Sequence, residues 1–175
     1  MRWISHIAIA GSICAVFNPI ALPAAVLGST APDWFEMVVN SFRKHKRVKH
    51  RAVTHYLVAW VLGICFSHFV VDWHGYFFWF CMGGGIHWFC DALTISGAPL
   101  GWWSDRRMTL FGGKIYTGSP AEYVIVALVV LVCTFFAWSK HAHGGFMPFF
   151  IDWGGLYEKG VIDGFEWRSN RFNII

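Results

Sequence analysis

The stretch YFFWFCMGGGIHWFCDALTI, residues 76–95, decides the fold because it is apolar almost throughout and yet carries His87 and Asp91. A helix needs about 20 residues to cross a bilayer, and this stretch is long enough. Ionisable side chains are costly inside a membrane, so each one there is a hypothesis about function. The three glycines at 83–85 would let a neighbouring helix approach closely. The stretch therefore predicts a membrane-spanning helix that carries a functional site.

The rest of the chain fits an all-α, polytopic membrane protein. Of its 175 residues, 56% are hydrophobic and 14% are charged, whereas a soluble domain carries about 25% charged residues. Two further apolar runs, 55–71 and 121–138, predict a second and a third spanning helix. The five cysteines are scattered and form no C-x-x-C pair, which argues against a disulfide framework or a thiolate zinc site.

The N-terminal apolar segment is broken in the middle. Residues 4–17 and 20–28 are each too short to cross a bilayer, and Asn18-Pro19 separates them. Such a pair can form one kinked span or a re-entrant hairpin. We predict the hairpin, with its bend near Asn18-Pro19, its end at 28–33 and the N-terminus on the cytoplasmic side.

Positive charge is concentrated in two loops. Residues 43–51 hold six of the fourteen Lys and Arg residues, and a second basic loop lies at 106–114. A basic run can bind nucleic acid, but beside apolar segments the positive-inside rule and anionic lipids explain it, so no nucleic-acid partner is expected. Both loops are predicted to face the cytoplasm. The chain would divide into a membrane-embedded domain, 1–138, and an interfacial or aqueous tail, 139–175.

Two His-x-x-x-Asp pairs compete for the functional site. Residues four apart share one face of a helix, so His87 and Asp91 can bind one cation, or the carboxylate can orient the imidazole. A buried hydrogen bond that joins two helices is the simpler alternative. His68 and Asp72 have the same spacing. At 1.5 Å per residue, His68 and Asp72 fall near the membrane face opposite His55, whereas the first pair returns to the level of His55. The second pair is therefore interpreted as an interfacial polar pair.

Three further segments carry candidate side chains. The sequence HRAVTH, residues 50–55, brings His50 and His55 together if a helix begins between them, and is otherwise the basic flank of a span. Asp33 would complete a His/Asp metal site as a carboxylate ligand, although it could simply cap a helix. His6 stands alone on an apolar segment, where a histidine is more often structural.

The order of the motifs is more specific than any one of them. They read Ser5-His6, Pro32-Asp33, HRAVTH at 50–55, HWFCD at 87–91, Gly97-Ala98-Pro99-Leu100 and Gly118-Ser119-x-x-Glu122. Over about residues 5–125 this order resembles the YdjM-like family of inner-membrane, metal-dependent hydrolases. That family has a second Asp in a Pro-Asp-x-Asp motif. Here Phe35 stands at that position with Glu36 beside it, so either Glu36 substitutes or one ligand is lost.

The resemblance implies a divalent-metal site, with zinc as the expected metal. The implied ligands are His6, Asp33, His50, His55, His87 and Asp91. Asp33 and Arg51 would be the catalytic residues, with a carboxylate taking the proton of the attacking water and Arg51 facing a phosphate or orienting Asp33. The family is also distantly similar to the zinc phospholipase C and P1 nuclease group, which implies hydrolysis of phosphoesters.

Two functions follow as expectations. The first is a membrane-embedded, metal-dependent hydrolase of a bacterial inner membrane that acts on phosphoesters such as phospholipids at the cytoplasmic headgroup level, with membrane lipids as its partners. The alternative is a non-catalytic membrane module. Its His/Asp cluster would bind metal structurally or lock helices by hydrogen bonds, and its basic loop would dock a partner.

Overall fold

The protein is mostly helical, with one short β-hairpin. The computed structural model describes residues 1–42, 53–71 and 75–141, together with 157–158, 160 and 163–166. In chain order its principal elements are α1 (Trp3–Phe17), α2 (Leu22–Phe42), α3 (Leu57–Phe66), α4 (Tyr76–Ala92), β1 (Ala98–Gly101), β2 (Ser104–Met108) and α5 (Pro120–His141).

The first two helices form the predicted hairpin. α1 ends where the Asn18 amide donates to the Cys14 carbonyl oxygen at 2.7 Å, and a single 3-10 turn, Pro19–Ala21, leads into α2. Proline suits the first position of such a turn because it has no N–H to satisfy. The predicted bend near Asn18-Pro19 is confirmed.

The predicted end of this hairpin at 28–33 is wrong. α2 continues through Pro32 as far as Phe42. Proline in a helix removes one hydrogen bond and crowds the preceding turn. Here the residues from Gly28 to Pro32 are buried, so tertiary packing against α4 compensates for that loss.

α4 lies at the centre of the structure and packs closely on both sides. A Cβ atom added to Gly28 of α2 would overlap the Phe80 carbonyl, and one added to Gly83 would overlap the carbonyl of Ala25. On its other side, a Cβ at Gly84 would overlap the Trp60 ring of α3. The close approach expected from the glycines of α4 is therefore present, and it brings α2 and α3 to the helix that carries His87.

The prediction of three spanning helices is corrected by the helix lengths. Within the described ranges, one helix is long and apolar enough to cross a membrane, namely Pro120–Lys140 of α5. The expected span at 55–71 consists of the ten-residue α3 and a π-helical segment, Ser67–Val71. α4 stops at Ala92 after 17 residues, and such a helix reaches only about 26 Å, less than the ~30 Å hydrocarbon core.

The all-α prediction missed the β-hairpin within the segment interpreted as a polar loop. β1 and β2 are antiparallel, with Pro99 opposite Arg107. The Trp88 indole Nε1 donates to the Pro99 carbonyl oxygen at 2.6 Å, which fastens the hairpin to α4. Strands of four and five residues are too short to show a clear alternation of apolar and polar side chains.

The boundary proposed at residue 138 falls within α5, which continues to His141. Most of the tail from 142 onward lies outside the described residues, as does the basic loop at 43–51. The two-part domain division and the cytoplasmic placement of the basic loops therefore stay predictions.

Candidate functional site

His87 is the centre of the candidate site. Its Nδ1 lies 2.6 Å from the carbonyl oxygen of Ser29. A carbonyl only accepts hydrogen bonds, so Nδ1 carries a proton, and in the neutral imidazole Nε2 is then the nitrogen with the lone pair. That Nε2 is buried without a hydrogen-bond partner, 3.6 Å from Asp91 Oδ2 and 4.0 Å from Asp33 Oδ1. A histidine whose second nitrogen is held by a carbonyl is the usual arrangement of a metal ligand.

The first side-chain group around this nitrogen consists of His6, His87 and Asp91. One ligand atom from each lies within 4.8 Å of the other two, and all three residues are buried. The rings of His6 and His87 stack with centroids 3.9 Å apart. Neither ring nitrogen of His6 has a hydrogen-bond partner, although its Nε2 is 3.5 Å from Asp91 Oδ1.

The second group shares His87 and adds Asp33 and His55, again within 4.8 Å of one another. His55 Nε2 is 3.2 Å from Asp33 Oδ1, and its Nδ1 is 3.1 Å from the Thr54 hydroxyl. Burial lowers the pKa of His55 below its ordinary value, although the hydrogen bond to Asp33 works in the opposite direction. His55 is therefore held neutral, which is the form of imidazole that binds metals.

Glu36 also reaches the site. It follows Asp33 by three residues on α2, which places the two carboxylates on one face of the helix. Its Oε2 lies 3.9 Å from His55 Nδ1. Glu36 belongs to neither metal-ligand group, so its substitution for the second Asp stays a prediction.

The site opens into a cavity of about 500 Å³. The side chains of Asp33 and Glu36 are 16% and 12% exposed, whereas the imidazoles of His55 and His87 are at most 1% exposed. The nitrogen donors are therefore sealed while the oxygen donors face the cavity. The charged side chains lining the cavity are those of Asp33, Glu36, Asp91 and Arg107, and Met1 also lines it.

These atoms fit a divalent metal. Buried polar atoms nearly always have hydrogen-bond partners, yet the ring nitrogens of His6 and the Nε2 of His87 have none. A bound cation would satisfy them. A donor set of imidazole nitrogen and carboxylate oxygen suits zinc among other divalent metals.

Two interactions at the site were not expected from the sequence. The amino group of Met1 lies 2.5 Å from Asp91 Oδ1. Glu122, at the start of α5, is fully buried and accepts hydrogen bonds from the Ser5 hydroxyl, the Arg2 amide at 2.8 Å and the Gly118 amide at 2.7 Å. The sequence Ser119-x-x-Glu122 predicts a capping box, but nothing in it shows that Glu122 also fastens the start of α1.

The structure therefore brings together five of the six candidate ligands, from four different segments. The sixth, His50, and the candidate catalytic residue Arg51 lie outside the described residues, as does Asp72. His68 belongs to neither group. Its ring contacts those of Phe69 and Phe78 at centroid distances of 4.6 and 6.4 Å.

The comparison with protein families shows the family of the chain. The family model described as YdjM inner membrane protein matches residues 1–151. No curated protein and no solved structure matches the chain, so a similarity to the zinc phospholipase C and P1 nuclease group is not shown. The family match includes all five side chains of the described cluster. Because it extends over most of the 175 residues, the chain belongs to the YdjM inner membrane protein family, and the expectation of an inner-membrane location is confirmed.

Proposed function

We propose that the protein is a membrane-embedded, metal-dependent hydrolase that acts on phosphoesters, most specifically on phospholipids at the cytoplasmic headgroup level. The observation that carries the proposal is the surroundings of His87 Nε2. This nitrogen is buried without a hydrogen bond and lies within 4.0 Å of the carboxylates of Asp33 and Asp91. Both carboxylates line a cavity that Arg107 also lines.

The metal would be held by the side chains of the two groups that share His87. His6 and Asp91 belong to the first group, and Asp33 and His55 belong to the second. When bound, zinc or a similar divalent metal supplies Lewis-acid chemistry and lowers the pKa of water to about 7.

The chain's own residues divide the remaining tasks. Asp33, held by His55 and facing the cavity, accepts a proton as water adds to phosphorus. The bond from phosphorus to the leaving alcohol breaks, and the proton passes to that oxygen. Arg107 in the cavity wall attracts the phosphate oxygens, because a guanidinium can donate two hydrogen bonds to them. Arg51 is proposed as a second such group.

The position of the cavity relative to α5 supports a lipid substrate. Thr117 lines the cavity, and the membrane-spanning helix begins three residues later at Pro120. The cavity is thus near one end of the spanning helix, where lipid headgroups and water are both present. Along α5 itself, the side chains of Leu128, Leu131 and Phe135 are exposed, as expected for contact with lipid tails.

A non-catalytic membrane module is the second candidate. It is favoured by the contact of the Met1 amino group with Asp91, because a cation of the chain itself can satisfy that carboxylate without a metal. In such a module, the cluster would lock α1, α2 and α4 together. The opening of Asp33 and Glu36 to a cavity favours catalysis, since a purely structural zinc site has four ligands and no open position.

The experiment is elemental analysis of the full chain purified in detergent. It is combined with an assay of phosphoester hydrolysis in mixed phospholipid vesicles. We expect a divalent metal that co-purifies, turnover that stops with a chelator, and loss of both metal and turnover in His87→Ala. Metal without turnover in any lipid mixture would favour the structural module. Protein that contains no metal and binds none on titration would contradict the metal site itself.

A further inference from the structure

A second cavity adjoins the first one. It measures about 460 Å³ and is formed by the β-hairpin and the residue after it. Arg107 lines both cavities, so they meet at this residue. We call the second one the hairpin cavity, and its lining consists of Leu100, Trp103, Arg106, Arg107, Met108 and Thr109.

The two cavities differ in charge. Three carboxylates line the first one, namely those of Asp33, Glu36 and Asp91. Among the side chains that the structure describes around the hairpin cavity, two are arginines and none is acidic. Guanidinium groups bind phosphate oxygens in a bidentate manner. The first cavity therefore suits a metal with its phosphate. In the hairpin cavity, each guanidinium has five N–H donors and can bind phosphate oxygens in addition to its contacts within the protein.

The tryptophans at the hairpin cavity indicate which part of the membrane surrounds it. A Cβ atom at Gly101 would overlap the Trp103 ring, so the glycine allows this ring to fold back over the strand. Trp102 and Trp103 are 68% and 60% exposed, with ring centroids 5.2 Å apart. Exposed tryptophans are enriched at the level of lipid headgroups, and this chain is an inner-membrane protein. The anion available at that level is a phospholipid phosphate.

We propose that the hairpin cavity is a second phosphate-binding subsite, which selects lipids that carry two phosphates over lipids that carry one. The proposal rests on the hydrolase function for the assignment of the first phosphate to the His/Asp cluster. Arg107 contacts the ligand from both cavities, and Arg106 contacts only the second phosphate. The two arginines should therefore have different effects on lipid preference.

The test is native mass spectrometry of the full chain in detergent, with its metal retained, in the presence of equal amounts of cardiolipin and phosphatidylglycerol. Cardiolipin carries two phosphates and phosphatidylglycerol carries one. We expect the affinity of the wild-type protein for cardiolipin to be about tenfold higher than its affinity for phosphatidylglycerol. This ratio corresponds to the free energy of about one hydrogen bond to a charged group. Arg106→Gln should reduce that ratio to about one, and Arg107→Gln should weaken binding of both lipids.

Lys114→Gln is the matched control, because Lys114 is an exposed cation in the same loop and does not line the hairpin cavity. It should leave the preference unchanged. Arg106 is itself exposed, so its replacement should not unfold the protein. The subsite is disproved if the wild-type protein shows no preference, if Arg106→Gln keeps it, or if Lys114→Gln removes it equally, which would indicate diffuse surface charge.

The same spectra separate this inference from the proposed function, because they show intact lipid and hydrolysis products together. A preference that depends on Arg106 without any product would support the subsite and contradict the hydrolase. Product formed at equal rates from both lipids, unaffected by Arg106→Gln, would support the hydrolase and contradict the subsite.

Discussion

The two His-x-x-x-Asp pairs of this chain have identical spacing and different surroundings. His87 lies in a regular part of α4, is 1% exposed, and has one nitrogen fixed by the Ser29 carbonyl. His68 lies in the π-helical end of the α3 segment, is only partly buried, and is surrounded by phenylalanine rings. The spacing is thus not what makes a site. What distinguishes His87 is that three other segments of the chain place His6, Asp33 and His55 beside it.

Removal of each histidine gives the largest expected contrast. His87→Ala removes a side chain common to both groups, so metal affinity and phosphoester turnover should each fall on the order of 100-fold or more, beyond the 10- to 100-fold typical of residues that only orient ligands. His68→Ala should change both by less than about twofold. Metal titration and vesicle turnover measure the two quantities. Equal losses in the two variants would show that the assignment to His87 is wrong.

Glu122 tests how His6 is brought to the cluster. Glu122→Gln keeps the shape of the side chain but weakens the hydrogen bonds from Ser5 and from the Arg2 and Gly118 amides. We expect metal affinity to fall about tenfold, because Ser5 precedes His6 on α1 and positioning residues typically contribute 10- to 100-fold.

Ser119→Ala is the control for Glu122. It removes the cap at the start of α5, which costs about 1 kcal/mol of stability, and it leaves the contacts of Glu122 with α1 in place. Metal affinity should therefore stay unchanged in this variant. If both variants lower metal affinity equally, Glu122 acts only through the stability of α5.

Two adjacent glycines test the packing that surrounds His87. Gly84→Ala would place a methyl group into the Trp60 ring, whereas Gly85→Ala would meet only Ile64 Cδ1 at 3.6 Å, an ordinary contact. Overpacking costs about 1–3 kcal/mol, so Gly84→Ala should lower the Tm in detergent by about 4 °C. Gly85→Ala should leave the Tm equal or higher, since alanine favours the helix. A reversal of this order would contradict the packing of α3 on α4.

The smallest expected difference between two matched variants concerns the carboxylates of α2. Asp33→Asn removes the carboxylate oxygen 3.2 Å from His55, and it should lower turnover more than tenfold. Glu36→Gln changes a group 3.9 Å from His55, so turnover should fall only several-fold. The comparison is made at saturating metal. A larger loss in Glu36→Gln than in Asp33→Asn would exchange the roles of the two carboxylates.

Several features could be predicted from the sequence because they depend on neighbours along the chain. The spacing of His87 and Asp91 on α4, the bend at Asn18-Pro19 and the apolar run of α5 follow from local rules for helices, prolines and bilayers. The order of the motifs was sufficient to indicate the family. These predictions agree with the structure and with the family match.

Other features were decided only by tertiary structure. The continuation of α2 through Pro32 depends on its burial against α4. The hydrogen bond from the Ser5 hydroxyl to Glu122 forms only because α1 and α5 are adjacent. The two short strands are stabilised by Trp88. The predicted spans at 55–71 and 76–95 were too long because apolar composition alone does not show where a helix ends. α4 ends where the Thr94 hydroxyl donates to the Asp91 carbonyl.

The candidate site depends on both levels. The sequence determined which residue types are present and that His87 and Asp91 share one helix face. It could not determine that His6 stacks on His87, or that Asp33 and His55 also lie close to His87, because these contacts join residues far apart along the chain. The close approach that glycine permits between α2, α3 and α4 brings those side chains within a few ångströms of each other, and this geometry exists only in the folded protein.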